Sequence, residues 1–291
     1  MDEIKRKTME FTYYPGCSLT GSAKELDDSF RGVAAKIGVK LSEIPDWTCC
    51  GASSAHMIDA YLETALPARD LMTAERMGHD VVAPCAGCHV RMKHTAMRLM
   101  EDSTFQGKYP FKGEIKVLSG LEMLHSQPVL DLIRDMVTKP LEGLRVVPYY
   151  GCLAVRPVDI VEPADPENPK EMDRILEAIG AEVLQWPYKT DCCGGSLSLT
   201  RTDQVMRLSQ KLLDMARHVG ADAMVTLCPM CQANLDTRQA DISKKTGRVY
   251  HTPILYVTEL IGIALGVPDA RTWFGKHIVS AEQSLSQKGL L

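Results

Sequence analysis

The sequence predicts an α/β protein of two tandem, duplicated domains with parallel sheets. Three observations support that prediction. The ten cysteines fall into two sets of five with one order: a single C, then CC, then CxxC. The residues around them repeat as well. "YYPGC" at Tyr13–Cys17 is echoed by "YYGC" at Tyr149–Cys152, and "GHDVVAPCAGC" by "GADAMVTLCPMC". Between the cysteines, strand-like segments alternate with segments of helical period, the pattern of parallel α/β layers. Self-similarity at a period of about 140 residues marks a duplicated domain, not a solenoid.

Taken in order, "EFTYYPGC" is a short apolar strand running into a Pro-Gly turn. "SAKELDDSFRGVAAKIG" has helical spacing, with Leu26, Phe30, Val33, Ala34 and Ile37 on one face and Gly38 as its stop. "VKLSEI" is a strand before the first CC loop. "MIDAYLETALPARDLMTAERMG" is helical, with Pro67 starting a second segment or kinking the first. "DVVAPC" is a buried strand, "HVRMKHTAMRLME" a helix leaving the CxxC, and "EIKVLSG" a later strand. The second copy follows with the helix "PKEMDRILEAIG", the strand "AEVLQW", the helix "VMRLSQKLLDMARHVG", the strand "DAMVTLC" and the helix "QANLDTRQADI". Every cysteine group then lies just past a strand end or in a loop, where open α/β sheets build sites. Thr252–Gly266, "TPILYVTELIGIALG", is the most apolar stretch; at about 15 residues it is a buried strand–helix element, not a membrane span. The copies join near Pro140–Gly143, giving domains 11–143 and 144–267. The tail 268–291 has no repeat partner; it either docks on a partner protein through Trp273 and Phe274 or is loose.

The 291 residues are 45% hydrophobic and 24% charged, ordinary for a globular chain. A net charge of −4 provides no global field for nucleic acid. No apolar run reaches 18 residues, so no membrane span is expected. The start "MDEIKRKTMEF" has no apolar stretch behind it and is not a secretory signal. These features predict a cytoplasmic protein, where structural disulfides are rare. The fifteen methionines sit at helical spacing and suit core packing or a protein interface.

Within each set, 34 residues separate the CC from the CxxC, at Cys50–Cys85 and again at Cys193–Cys228. The first gaps differ by eight residues, which fall around "VDIVEPADPENP", a Pro- and Asp-rich loop. A structural zinc wants four ligands, and each set offers five. Adjacent side chains diverge, so CC serves two metal atoms better than one. A polynuclear iron–sulfur centre therefore suits the spacing best, with zinc, disulfide and redox thiol as the other readings. Gly51, Gly194 and Gly195 permit φ > 0 and close approach of backbone, whose N–H groups can bond to sulfur. The ferredoxin run of cysteines, G-x-G-x-x-G and a Walker loop are all absent. No flavin or NAD site is visible, so electrons would come from another polypeptide.

The arrangement C-x31-CC-x34-C-x2-C, given again as C-x39-CC-x34-C-x2-C, resembles the cysteine-rich CCG domain found in the B subunit of heterodisulfide reductase and in its relatives. "GCLAVRPVDIVEPADPENPKEMDRILEAIGAE" is also similar to the second domain of that B subunit. The resemblance covers about residues 11 to 267. It implies two Rossmann-like CCG domains facing each other across a cluster-containing cleft. It also implies two noncubane [4Fe-4S] clusters, one held by Cys17, Cys49, Cys50, Cys85 and Cys88, the other by Cys152, Cys192, Cys193, Cys228 and Cys231. The implied reaction is reduction of the disulfide of coenzyme M and coenzyme B, CoM-S-S-CoB, to two thiols between the clusters. The implied partners are the iron–sulfur C subunit and the electron-bifurcating, flavin-containing A subunit of heterodisulfide reductase, with a hydrogenase or formate dehydrogenase, in methanogenesis. The alternative is an electron-relay protein of a bacterial complex, with another thiol or no substrate of its own. A zinc-stabilised scaffold is the third class.

A substrate bearing sulfonate and phosphate needs cations. Those beside the cysteine loops are His56, His89, Arg156, Lys189 and Arg201. Each also has a structural reading in a salt bridge or a helix cap. His89, directly after Cys88, is the one placed to touch a cluster edge. His79 and His218, near helix ends, suit the helix dipole.

Overall fold

The computed structural model describes residues 9–52 and 55–291. The charged start, residues 1–8, and Ser53 of "CCGAS" lie outside the described residues. Eight short strands form two sheets. The first holds β1 (Glu10–Tyr13), β2 (Lys40–Glu43), β3 (Val81–Ala83) and β4 (Val117–Ser119), in the order β2-β1-β3-β4. The second holds β5 (Arg145–Pro148), β6 (Glu182–Val183), β7 (Ala223–Thr226) and β8 (Ile254–Tyr256), in the order β6-β5-β7-β8. Every pairing is parallel. The two orders are the same, so the duplication seen in the cysteines is a duplication of the fold.

β1 pairs with β2 on one side and β3 on the other, and β5 stands likewise between β6 and β7. The connections therefore diverge past the ends of β1 and β3, and of β5 and β7. In open parallel sheets ligands bind in the crevice at that point. Cys17 and Cys85 follow β1 and β3, and Cys152 and Cys228 follow β5 and β7.

The helix Lys24–Lys36 buries Leu26, Phe30, Val33 and Ala34, the face its spacing predicts. The helix Ala60–Met77 departs from expectation, because Pro67 lies inside it without a break. The break comes earlier, at Asp59, whose carboxylate accepts the Tyr61 and Leu62 N–H groups at 2.7 and 3.0 Å. Such a cap satisfies orphan donors and restarts the helix. Burial of Pro67, Ala68 and Leu71 carries the chain through the missing backbone bond. "QANLDTRQADI" likewise divides, into Pro229–Thr237 and Gln239–Thr246. The helix expected to leave the first CxxC begins inside that motif, at Ala86–Glu101.

The copies exchange helices. Val257–Ala264 of the second packs on Lys24–Lys36 of the first, and Gly120–His125 of the first packs on Glu171–Ala178 of the second. A buried hydrogen bond of 2.7 Å between Ser29 Oγ and Thr258 Oγ1 crosses one of these contacts. One apolar core runs through both copies, from Tyr13 to Leu260. The tail also folds back. Trp273 and Phe274 are buried in this chain, with the indole lying against Gly32 and Gly262; a Cβ there would come within 2.9 and 2.3 Å of it. These aromatics anchor the tail to its own chain, so the alternatives of a partner anchor and a loose tail are both corrected. Among the described residues, no helix is long and apolar enough to cross a membrane.

Candidate functional site

Two thiol groups form at the carboxyl ends of the strands. Cys85 and Cys228 are the N-cap residues of Ala86–Glu101 and Pro229–Thr237, and Cys88 and Cys231 lie in the first turns. The second cysteine of each CC meets the second of each CxxC: Cys50 Sγ is 3.2 Å from Cys88 Sγ, and Cys193 Sγ is 3.6 Å from Cys231 Sγ. Cys152 and Cys192 Sγ stand 4.0 Å apart. None of the ten is in a disulfide. Cys50, Cys85, Cys88, Cys193, Cys228 and Cys231 are buried, whereas Cys17, Cys49 and Cys192 are exposed and Cys152 is half-buried. Each group thus has a dry floor and a solvent-facing rim.

The cradle is built from matched parts. Tyr14 donates its hydroxyl to the Thr48 carbonyl at 2.6 Å, and Tyr149 donates to the Asp191 carbonyl at 2.6 Å. Both bonds fix the residue just before a CC. Gly16 and Gly151 have φ of 64° and 66°, and a Cβ on them would lie 2.9 Å from Cys88 Sγ and 2.8 Å from Cys231 Sγ. Glycine is needed there for conformation and for space. After each CC, the Gly51 and Gly194 N–H groups point at Cys49 and Cys192 Sγ, at 3.4 and 3.2 Å. Both adopt positive φ, but Gly195 does not; it opens the turn Gly195–Leu197 instead.

Thiolates, not thiols, bind metal. Cys192 is pulled down to about 6 by the Cys152 thiol, against burial and with help from the Gly194 N–H. Cys85 is pulled down to about 7 by the Cys88 thiol, again against burial. Cys50 and Cys193 are lowered by Cys88 and Cys231, which are themselves raised. No three His, Cys, Asp or Glu side chains among the described residues close on one point as ligands of a single ion would. Five soft donors spread over a glycine-cradled pocket suit a group with several metal atoms, and the residues present fit an iron–sulfur group.

The two sites adjoin. Beside Cys85, a Cβ on Gly87 would lie 3.9 Å from Leu153, the residue after Cys152. Leu227, before Cys228, reaches the Gly120–Pro84 corner of the first copy. The phenol of Tyr256 is pushed up by burial, then by the charges of Glu25 and Glu259, and least by those of Cys228 and Cys85. Leu153, Leu199, Met230, Met57 and Ile58, on or just after the cysteine loops, are exposed.

The five candidate cations are engaged within the chain. His56 Nδ1 lies 3.3 Å from the Gly51 carbonyl. Arg156 is bonded to Glu167, and Arg201 Nε is 3.5 Å from Asp203. Lys189 is buried, 2.5 Å from Asp173 and 3.2 Å from the Pro169 carbonyl that it also reaches. His89 is buried with Nε2 3.2 Å from Glu122, and neither ring nitrogen makes a hydrogen bond. Burial pushes the Glu122 carboxyl up, but His89 and Ser119 outweigh that and bring it down to about 2. His277, Gln232 and Glu259, absent from the sequence reading, form a related group in the second copy. Glu122 and Glu259 occupy the third position of the helix after the fourth strand of each sheet. The Ser119-x-x-Glu122 capping box was the readable signal for that position.

A two-copy α/β frame with CC and CxxC at its strand ends defines the cysteine-rich domain family known as CCG, whose pattern matches residues 11–93 and again 146–236. The chain belongs to this family. It is 31% identical over 279 residues to the 8-methylmenaquinol:fumarate reductase membrane anchor subunit of Wolinella succinogenes, covering 94% of this chain and 98% of that one. It is 25% identical over 269 residues to the B subunit of the ferredoxin:CoB-CoM heterodisulfide reductase of Methanosarcina mazei, covering 88% and 89%. A crystal structure of a hypothetical protein from Helicobacter pylori shares the fold with a TM-score of 0.72 at 12% identity, over 94% of this chain; the chain spans 52% of that structure. The two sequence relatives are named as components of reductases.

Proposed function

We propose that this chain is the disulfide-cleaving component of a heterodisulfide reductase-type complex. It would reduce CoM-S-S-CoB, or a related disulfide, with electrons from partner proteins. The observation that carries this reading is the adjacency of two five-thiol sites: Gly87, inside the first CxxC, faces Leu153 beside Cys152, and Leu227 beside Cys228 and Pro84 beside Cys85 both pack on Gly120. Cys17, Cys49, Cys50, Cys85 and Cys88 would hold one noncubane [4Fe-4S] cluster, and Cys152, Cys192, Cys193, Cys228 and Cys231 the other. When bound, such groups supply electrons singly. Cleavage of R–S–S–R′ consumes two electrons and yields RS⁻ and R′S⁻, so two adjacent sites match the count. The exposed thiols Cys17, Cys49 and Cys192 leave each site a face that a small disulfide can reach. The buried thiols and Tyr14 and Tyr149 hold the loops in place behind that face. The apolar rim of Leu153, Leu199 and Met230 suits a partner protein.

A second reading is an electron relay, passing electrons between partners. The internal engagement of His56, His89, Arg156, Lys189 and Arg201 favours it, as does the likeness to a component of a fumarate reductase. The test is anaerobic purification followed by metal and sulfide analysis, EPR and turnover with reduced viologen. About eight iron atoms per chain and thiol release from CoM-S-S-CoB support the first reading. The same iron content with EPR signals indifferent to any heterodisulfide or its thiols favours the relay. About two zinc atoms with no iron or sulfide would sink both.

A further inference from the structure

A buried line of side chains runs from the second cysteine site to the junction of the copies. Gln232 follows Cys231, and its Nε2 lies 3.1 Å from Nδ1 of His277. The other ring nitrogen lies 2.8 Å from Glu259 Oε1. The second Glu259 oxygen accepts the Tyr256 N–H at 2.8 Å. The side chains of His277 and Glu259 have no exposed surface, and Gln232 is buried. The result is a dry histidine–carboxylate couple, one amide removed from a cysteine loop.

Other charged and titratable groups face it from each neighbouring element. Asp236, on Pro229–Thr237, accepts the Ile278 and Val279 N–H groups at 2.7 and 2.9 Å. Glu25, on Lys24–Lys36 of the first copy, is buried, and burial pushes its carboxyl up. The Tyr256 hydroxyl is buried with no hydrogen-bond partner. Lys276 acts from the exposed side. His277 therefore meets three carboxylates. Burial pulls its imidazole down, but the bond to Glu259 and the charges of Glu259, Asp236 and Glu25 outweigh that and leave it raised. A buried group of acids around one imidazole is far less costly when a proton is held among them.

We propose that the Glu259–His277 couple takes up one proton when the second cysteine site gains one electron, with Gln232 as the link. The electron comes from a low-potential one-electron donor and the proton from water, so the added negative charge is matched by an imidazolium. Gln232 supplies the coupling. With its Nε2 donating to Nδ1, the ring is neutral and donates its Nε2–H to Glu259. Once the ring is protonated, Nδ1 donates as well, and Gln232 must turn its carbonyl oxygen to it. That turn reverses an amide dipole beside Cys231. Among the described residues the first copy has no such link, because His89 itself follows Cys88 and meets Glu122, which is 38% exposed. His277 is a positioning and charge-compensating residue, joined to the cysteine loop through Gln232.

This inference rests on the iron–sulfur reading. Its test is a redox titration of the anaerobic holoprotein, followed by EPR between pH 6 and 9. The second site is identified as the signal lost in Cys231→Ser. On the alkaline side of the raised imidazole its midpoint potential should fall by about 59 mV per pH unit, the equivalent of a tenfold change in proton activity for a one-electron couple, and it should level off at the acid end, where His277 already holds the proton. His277→Gln should flatten that slope and leave the first site unchanged. Glu259→Gln, which retains an acceptor for the Tyr256 N–H, should do the same and carries the test if His277→Gln fails to fold. Reduced-minus-oxidised infrared spectra with labelled histidine should show an imidazolium band that both variants lose. A pH-independent second site in the wild type, or a slope that survives in the variants, overturns the inference alone. Protein without iron and sulfide overturns the proposed function beneath it.

Discussion

Behind Cys88 stands a histidine set against a partly exposed glutamate; behind Cys231 stand a glutamine, a histidine from the tail and a glutamate with no exposed surface. In front of them the two copies are nearly superposable in chemistry. Each has a tyrosine strap to the residue before CC, a positive-φ glycine under a thiol, and a CC-to-CxxC contact. The thiols are held by geometry that tolerates no drift, since Gly16 and Gly151 lack room even for a methyl group. The groups behind them set charge, and charge can be balanced in several ways. A duplicated pair of sites can thus keep one set of contacts and still differ in how each half handles a proton.

The sharpest way to break the comparison is to remove one thiol at a time. Cys88→Ser and Cys231→Ser each delete the partner of a lowered thiol, Cys50 or Cys193. If the copies hold their groups independently, each variant should retain about half the wild-type iron and sulfide, the fraction expected for one of two like sites. Elemental analysis decides it. Loss of nearly all the iron from either variant would mean that the shared core makes the two sites one unit.

Gly16→Ala and Gly151→Ala probe the cradles with a smaller change. Left-handed backbone alone costs an alanine about 1–2 kcal/mol. The overlap at 2.9 and 2.8 Å adds to that by displacing Cys88 or Cys231 Sγ. Both variants should lower denaturation midpoints by similar amounts and weaken retention of iron in their own half. A large effect in one copy only would end the claim that the cradles are equivalent.

Much of this organisation was legible in the sequence, for identifiable reasons. Strand–helix alternation and the doubled cysteine spacing depend on local chain geometry, and so do the buried face of Lys24–Lys36 and the strand–helix Thr252–Gly266. The proline rule misplaces the break near Pro67 because it does not weigh the cap at Asp59, which satisfies the helix start. Nearness to cysteine in the chain places Lys189 beside a site, yet Tyr150 and Lys189 both bond Asp173 in a buried cluster. His277 gives no signal, since it lies in the one segment without a repeat partner and reaches Glu259 only through the folded tail.

The smallest expected effects concern the struts that hold each CC loop to its flanking helix. In the first copy Asp70, buried on Ala60–Met77, accepts the Thr48 N–H at 3.0 Å and the Thr48 hydroxyl at 3.1 Å. Burial raises its carboxyl to about 6, although Thr48 works the other way. The folded chain therefore holds that proton more tightly than the unfolded chain does. Asp70's contribution is most favourable below the ordinary value of 3.8 and is lost as pH rises through about 6. Two units of difference correspond to at most about 3 kcal/mol at neutral pH. Asp70→Asn keeps an acceptor for Thr48 and removes the buried charge. It should stabilise the protein by about 1–2 kcal/mol at pH 7.5 and by almost nothing at pH 4, measured by chemical denaturation. In the second copy the polarity is reversed. Asp191 lies on the loop and Lys211 on Thr202–His218, 2.6 Å apart and both exposed. Exposed pairs contribute little, so Lys211→Ala should leave the denaturation midpoint within error at either pH. Were Lys211→Ala to destabilise as much as Asp70→Asn stabilises, the second loop would depend on its ion pair, and the contrast between a buried strut and a solvated one would fail.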